Sequence, residues 1–179
     1  MKDNDLIRIF LPIINQGLID GEYLGVTVKQ GNQPTQQGAN SNPTIYFFKL
    51  FDKRYGWRLS KSEWDDELET MVHTYVQYYE TTFQVEALVR QKPSTPYQYT
   101  AADLLNEVAF ILQTEGTITT LNNSEIGILR ITDVRNPNSG DDRDQFEAVP
   151  SFDFTLIHKQ TRTTTDPVIE SIEFGIKRV

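Results

Sequence analysis

Cysteine is absent from the 179 residues. That excludes disulfides, thiolate nucleophiles and cysteine-ligated zinc or iron–sulfur centres. Histidine is scarce. The two present, His73 and His158, sit in strand-like segments with no Asp or Glu at metal-ligand spacing, so both read as structural or surface residues. Basic residues are in deficit: 17 Lys and Arg against 25 Asp and Glu give a net charge of −8, and the pI is near 4.8. Free DNA binding through a basic face needs clustered Lys and Arg and is disfavoured. An acidic wall past which DNA slides is compatible with this charge, because repulsion prevents sticking. No stretch reaches the ~20 apolar residues of a membrane span, so no membrane partner is expected. The N-terminal segment is not expected to be a signal peptide, since Arg8, Pro12 and Asn15 interrupt its apolar middle and no small-residue cleavage site follows. Nucleophile, phosphate-loop and dinucleotide motifs are missing. The acidic run "DDRD" (141–144) lacks calcium-loop spacing, and "EWDDELE" (63–69) reads as a solvated acidic face. Nothing in the chain argues for catalysis, a metal or a cofactor.

Aromatic residues, by contrast, are plentiful. Ten Phe, eight Tyr and two Trp within 38% hydrophobic residues are enough to build a core, so wholesale disorder is excluded. The length suits a single domain spanning 1–179, with a radius of gyration of roughly 16 Å. Leu6, Ile9, Phe10, Ile13 and Ile14 form a stripe of helical period that Asp3 or Asp5 can cap. Pro12 inside it predicts a kink or a restart. "LGVTVKQ" (24–30) alternates like a strand, and "TIYFFKLF" (44–51) is apolar on both faces, as in a central or sandwiched strand. Residues 59–69 read as a loop or short helical turn. Residues 71–90 have strand composition and predict either two strands meeting near Glu80 or one long bent strand projecting from the body. Thr100 and Asp103 approximate a capping box before Leu104, Leu105, Val108, Ile111 and Leu112, with Gly116 as the stop. Segments 126–134, 151–159 and 168–179 read as strands. The sum is α+β: a mixed, mostly antiparallel sheet of about five or six strands flanked by two main helices.

Two polar loops stand out, 31–43 and 136–147. Loops this long are functional or disordered as a rule. The first holds almost no apolar side chain, so cutting it to a tight turn is expected to spare the fold and damage assembly.

Taken in order, "NQPTQQG", "NPTIYFFKL", "DKRYGW", "TTFQVEALVR", "TAADLLNEVAFILQ", "LNNSEIGILRITDVRNP" and "FEAVPSFDFTLIHKQT" resemble the phage neck and tail-terminator family, also called gateway or tail-completion proteins. The resemblance covers roughly residues 5 to 179 and rests on order and spacing rather than a catalytic signature. It implies an α+β domain that is a structural virion protein, not an enzyme. It also implies a homo-oligomeric ring, a hexamer in the usual case, at the neck or top of the tail. Such a ring terminates the tail tube, joins a head connector or adaptor protein and lets DNA pass without sequence-specific binding. A head-side adaptor, a baseplate or tail-tip subunit, and a small enzyme or ligand-binding module remain alternatives. In a ring each subunit uses two different patches, and polar loops can order on a neighbour while keeping the free subunit soluble. Expected interface residues are Gln33, Pro34, Gln36, Gln37, Asn40 and Asn42, then Arg54 and Arg58, then Asn138 and Arg143. A bore that does not grip DNA should be neutral or acidic, which nominates Glu63, Asp65, Asp66, Asp141 and Asp142.

Overall fold

Leu6, Phe10, Ile14 and Leu18 recur every fourth position, so a helix brings them onto one face, and all four are buried. This helix, α1 (Asp3–Asp20), begins at Lys2, whose backbone N–H donates to the Asp5 carboxylate at 3.2 Å. Asp5 thus acts from inside the first turn, where its charge also suits the helix dipole. The expected restart at Pro12 does not occur; the helix runs through it. Pro12 and Arg8 are both exposed, so water can satisfy the carbonyl that proline leaves without a donor. The computed structural model describes residues 2–31, 42–90, 98–136, 138–140 and 146–166.

The remaining elements are β1 (Thr27–Gln30), β2 (Thr44–Asp65), β3 (Thr70–Leu88), α2 (Ala101–Gln113), α3 (Glu115–Asn123), β4 (Ile126–Ile131), β5 (Asn138–Gly140), β6 (Phe146–Ala148) and β7 (Ser151–Thr165). Five strands form one sheet in the order β1-β2-β3-β7-β4, and β5 pairs with β6 separately. Among the described strands only β1 with β2 is parallel; the other pairings are antiparallel. The fold is therefore α+β with a mixed, mostly antiparallel sheet. Cross-strand pairs put Ile45, Phe47, Phe83, Val85, Phe152 and Phe154 on one face, all buried under the helices. Phe10 is the hub, with ring centroids 5.4 Å from Phe47, 5.1 Å from Phe83 and 5.6 Å from Phe154. α2 adds Leu104, Leu105, Val108, Ile111 and Leu112. Its capping box is complete: Thr100 Oγ1 accepts from the Asp103 N–H at 3.1 Å, and Asp103 Oδ2 accepts from the Thr100 N–H at 2.8 Å. The Thr100 N–H, and the Thr100 hydroxyl that also donates to Asp103 Oδ2 at 2.8 Å, hold the Asp103 carboxyl below its ordinary pKa.

Several sequence expectations need correction. Gly116 does not stop α2. The helix ends at Thr114, which caps α3 in turn, and Gly116 lies within α3. Residues 59–65 are strand, not loop or helical turn; only 66–69 turn, with Asp65 Oδ1 accepting from the Glu67 and Leu68 N–H groups, each at 3.0 Å. Of the two readings of 71–90, the single long strand is the one found. β7 also continues past 159 to Thr165. The proposed strand 168–179 lies outside the described residues. The second polar segment carries β5 and β6, while 141–145 lie outside the described residues.

The parallel pairing of β1 with β2 changes the meaning of the first loop. Gly31 N–H bonds Phe47 O at 2.7 Å, while Thr27 N–H bonds Pro43 O at 2.9 Å. The connection thus leaves beside Phe47 and must return to the opposite end of β1. Parallel neighbours need a crossover of about a dozen residues, so the length of 31–43 is set by topology. A tight turn cannot replace it, contrary to the sequence expectation.

Candidate partner-binding surface

β2, β3 and β7 are longer than the body they build. β1 and β4 pair only with their core halves. The remainder, residues 52–65 of β2 with 70–80 of β3 and 159–165 of β7, extends as a three-stranded arm. At about 3.3 Å per residue the β2 portion alone reaches roughly 45 Å. Every residue from 51 to 64 is exposed. Phe51, Tyr55, Trp57, Leu59, Trp64 and Leu68 all face solvent.

The arm is fixed at its root by a polar network. Lys49 Nζ donates to Asp3 and to Asp52, both at 2.6 Å. Thr81 Oγ1 donates to Asp52 at 2.7 Å, and the same oxygen lies 2.9 Å from His158 Nε2. Because the Thr81 proton is committed to a carboxylate, the His158 Nε2–H must be the donor in that second bond. Burial lowers the His158 pKa, so the ring is held neutral. Burial acts to raise the Asp52 pKa, but the hydrogen bonds from Lys49 and Thr81 outweigh it, and the net shift is downward.

Midway along the arm the ladder breaks. Tyr55 pairs with Tyr78 and Leu59 with Val76, so Gly56, Trp57 and Arg58 together oppose Gln77. This is a bulge. Gly56 takes φ +67°, open to glycine at little cost. Gln77 Nε2 closes the gap by donating to Tyr55 O at 3.1 Å. Trp57 is left 94% exposed. The Arg58 guanidinium lies 4.5 Å from the Tyr75 ring centroid, a cation–π contact that holds it beside the bulge.

Charge is segregated along the arm. Lys53, Arg54, Arg58 and Lys61 occupy the middle, and Glu63, Asp65, Asp66, Glu67 and Glu69 the tip. Near the tip Ser62 Oγ lies 2.7 Å from His73 Nδ1, and His73 Nε2 lies 2.9 Å from Asp166. The trio has the composition of a hydrolase triad but not its construction. The ring nitrogens are exchanged relative to the Ser–Nε2 and Asp–Nδ1 arrangement, and Ser62 is exposed. Thr70 Oγ1 also donates to Asp166 O, and Asp166 N–H to Met71 O. Together these contacts clasp β7 to β3 at the far end of the arm. Among the described residues no group of three or more His, Asp or Glu is placed to hold a metal ion. No described helix is long and apolar enough to cross a membrane.

Of the residues nominated from sequence, Arg54 and Arg58 lie on the arm, and Glu63, Asp65 and Asp66 converge at its tip. Asn42 is exposed just before β2, its carbonyl accepting from Thr44 Oγ1 at 3.0 Å. Asn138 lies in β5, paired with Ala148. Gln33, Pro34, Gln36, Gln37, Asn40, Asp141, Asp142 and Arg143 lie outside the described residues. Sequence reasoning missed Trp57 and Trp64. The available signal was "YGWR", a glycine inside a strand pattern, which marks a bulge.

No curated protein is detectably similar in sequence. The structure is similar to that of the sheath/tube terminator of the PVC extracellular contractile injection system in its extended state, with TM-score 0.41 and 7% identity. The match covers 94% of this chain and 64% of that one, so the chain spans just under two thirds of that protein's length. The family model for E217 gateway protein gp29 matches residues 5–168, nearly the whole chain. The chain belongs to the E217 gateway protein gp29 family, a family of structural phage proteins and not of enzymes.

Proposed function

We propose that this chain is the subunit of a ring, a hexamer, that ends the phage tail tube, joins it to the head connector and lets DNA pass. It acts as one unit over residues 1–179 and resides at the neck of the virion. The observation that carries this reading is the arm: β2, β3 and β7 expose Trp57, Trp64 and Leu59 on an extension that a single copy leaves uncovered. Monomeric proteins rarely present such surface without a partner. Family membership supplies the kind of partner. The polar segments 31–43 and 136–147 supply further partner contacts. Glu63, Asp65 and Asp66 form an acidic tip suited to a bore wall, because a wall without phosphate-binding groups does not retain duplex.

Images of virions carrying labelled protein test the location, with label expected at the head–tail junction. Label on the distal tail or the capsid shell would reject the reading. Each subunit adds a charge of −8, so sedimentation should show the free ring loosening at low salt. Reversing Asp65 and Asp66 to Lys should slow genome ejection while assembly proceeds; unchanged ejection would take the tip out of the bore.

A further inference from the structure

The arm cannot fold back onto the helices of its own chain. α1 and β2 run in opposite directions across the core: Phe10 packs on Phe47 with ring centroids 5.4 Å apart, and further along β2 Lys49 reaches back to Asp3 at 2.6 Å. Beyond Asp52 the arm therefore passes the N-terminal end of α1 and leads away from its C-terminal half. That far half carries a groove between α1, α2 and α3. The groove has a volume of about 770 Å³ and is lined by Pro12, Ile13, Gly17, Phe110, Gly116 and Thr120, with Asp20 and Glu107 among its walls. Phe110 is exposed. At Gly17 the helices meet so closely that a Cβ would fall 2.7 Å from Ile111, whereas a Cβ at Gly116 would meet nothing within 4 Å. The floor is tight and the mouth is open.

We infer that this groove receives the arm of a neighbouring copy, with Trp57 entering it and Arg58 facing Glu107. Charge fits this occupant. Residues 98–129 contain no Lys or Arg but include Asp103, Glu107 and Glu115. The arm's middle, residues 53–62, contains Lys53, Arg54, Arg58 and Lys61; Lys53 pairs with Glu80 at 3.3 Å and Lys61 with Glu63, which leaves the two arginines. Glu107 has no ion-pair partner among the described residues, and neither Arg54 nor Arg58 has a carboxylate partner among them. A protein of net charge −8 thus places two arginines without carboxylate partners on one projecting element and Glu107, in a groove whose lining holds no Lys or Arg, beside the far half of α1. Those two patches are complementary to each other and not to themselves. Such a pair makes a head-to-tail contact, which closes into a ring when its rotation permits. Trp at the centre and Arg beside it are the residue types that dominate interface energetics. The inference rests on the ring reading and names the contact that builds the ring.

The test is charge exchange with a covalent reporter. Arg58→Glu and Glu107→Arg should each weaken self-association roughly 30-fold, the size of one hot-spot loss. The double variant should recover most of the parent's association. Because the chain has no cysteine, Leu59→Cys combined with Thr120→Cys should yield oxidised ladders of linked copies, while each single substitution should yield at most dimers. In a Trp64→Phe background Trp57 is the sole tryptophan, and its emission should shift to the blue on association. Far-UV spectra and melting temperatures of all variants check that each is folded. If rings form with Arg58→Glu as readily as with the parent and no ladder appears, this contact is wrong and the ring reading survives. If the parent forms no ring at any salt concentration, free or on tail tubes, both fall together.

Discussion

The same three strands live two lives. In the body, β2, β3 and β7 bury Phe47, Phe83 and Phe154 beneath three helices; in the arm they carry Tyr55, Tyr78 and Arg162 into solvent. Backbone pairing is continuous through both halves apart from the bulges. The hydrogen-bond ladder is thus indifferent to which half it is in, and the difference lies in what covers the side chains. Body positions tie stability to packing, arm positions tie association to exposure, and the Lys49–Asp52–Thr81–His158 network marks the border.

The strongest way to break the contrast is Phe154→Ala. It removes a fully buried ring that touches Phe10, Phe47 and Phe83 and should destabilise the fold by about 3–5 kcal/mol in denaturant titration. Replacing 31–43 with a tight turn comes next. The crossover can no longer span, so β1 should detach and the amides of Thr27 and Lys29, which face β2, should lose hydrogen-exchange protection, with cooperative unfolding shifted to lower denaturant. Protection retained at β1 would overturn the topological argument.

A smaller effect sits at the border. The His158 pKa is lowered in the fold by burial, so the unfolded chain binds that proton more readily. Stability from the neutral ring is complete above the ordinary His value of about 6.5 and is lost as pH falls from there toward the lowered folded value. His158→Gln should abolish that slope in melting temperature between neutral and mildly acidic pH. The smallest effect on folding belongs to Trp57→Ala: within about 0.5 kcal/mol of the parent, since the side chain is solvated. The same substitution should impair assembly. A large loss of stability there would mean that the arm is held by the body after all.

Much of the body was legible in sequence because burial imprints a period. Leu6, Phe10 and Ile14 betray α1, Thr100 and Asp103 betray the start of α2, and Phe152, Phe154 and Leu156 alternate as a half-buried strand must. The arm left little such imprint. Between 52 and 65 neither face is covered, so polar and aromatic residues mix on both and the alternation that marks a strand disappears. Thr161, Thr163, Thr164 and Thr165 extend β7 by β-branching alone. Parallel β1 was illegible for another reason: "LGVTVKQ" carries no mark of its partner's direction, and only the return of Pro43 to Thr27 reveals it. Arg54 and Arg58 were nominated as interface residues, without the projecting geometry that gives them reach.

The bulge at Gly56 to Arg58 has one more effect. Where β1 ends, no described strand pairs with the outer rim of β2, whose amide and carbonyl groups over most of the arm are a template for strand recruitment by other copies. Three residues opposing one divide that row into two short, twisted lengths, each bearing lysine. The irregularity that presents an indole to a neighbour also bars indefinite edge-to-edge growth, so association can stay finite. Excising two of the three residues would straighten the rim, and such a chain should deposit as thioflavin-positive fibres at concentrations where the parent stays clear.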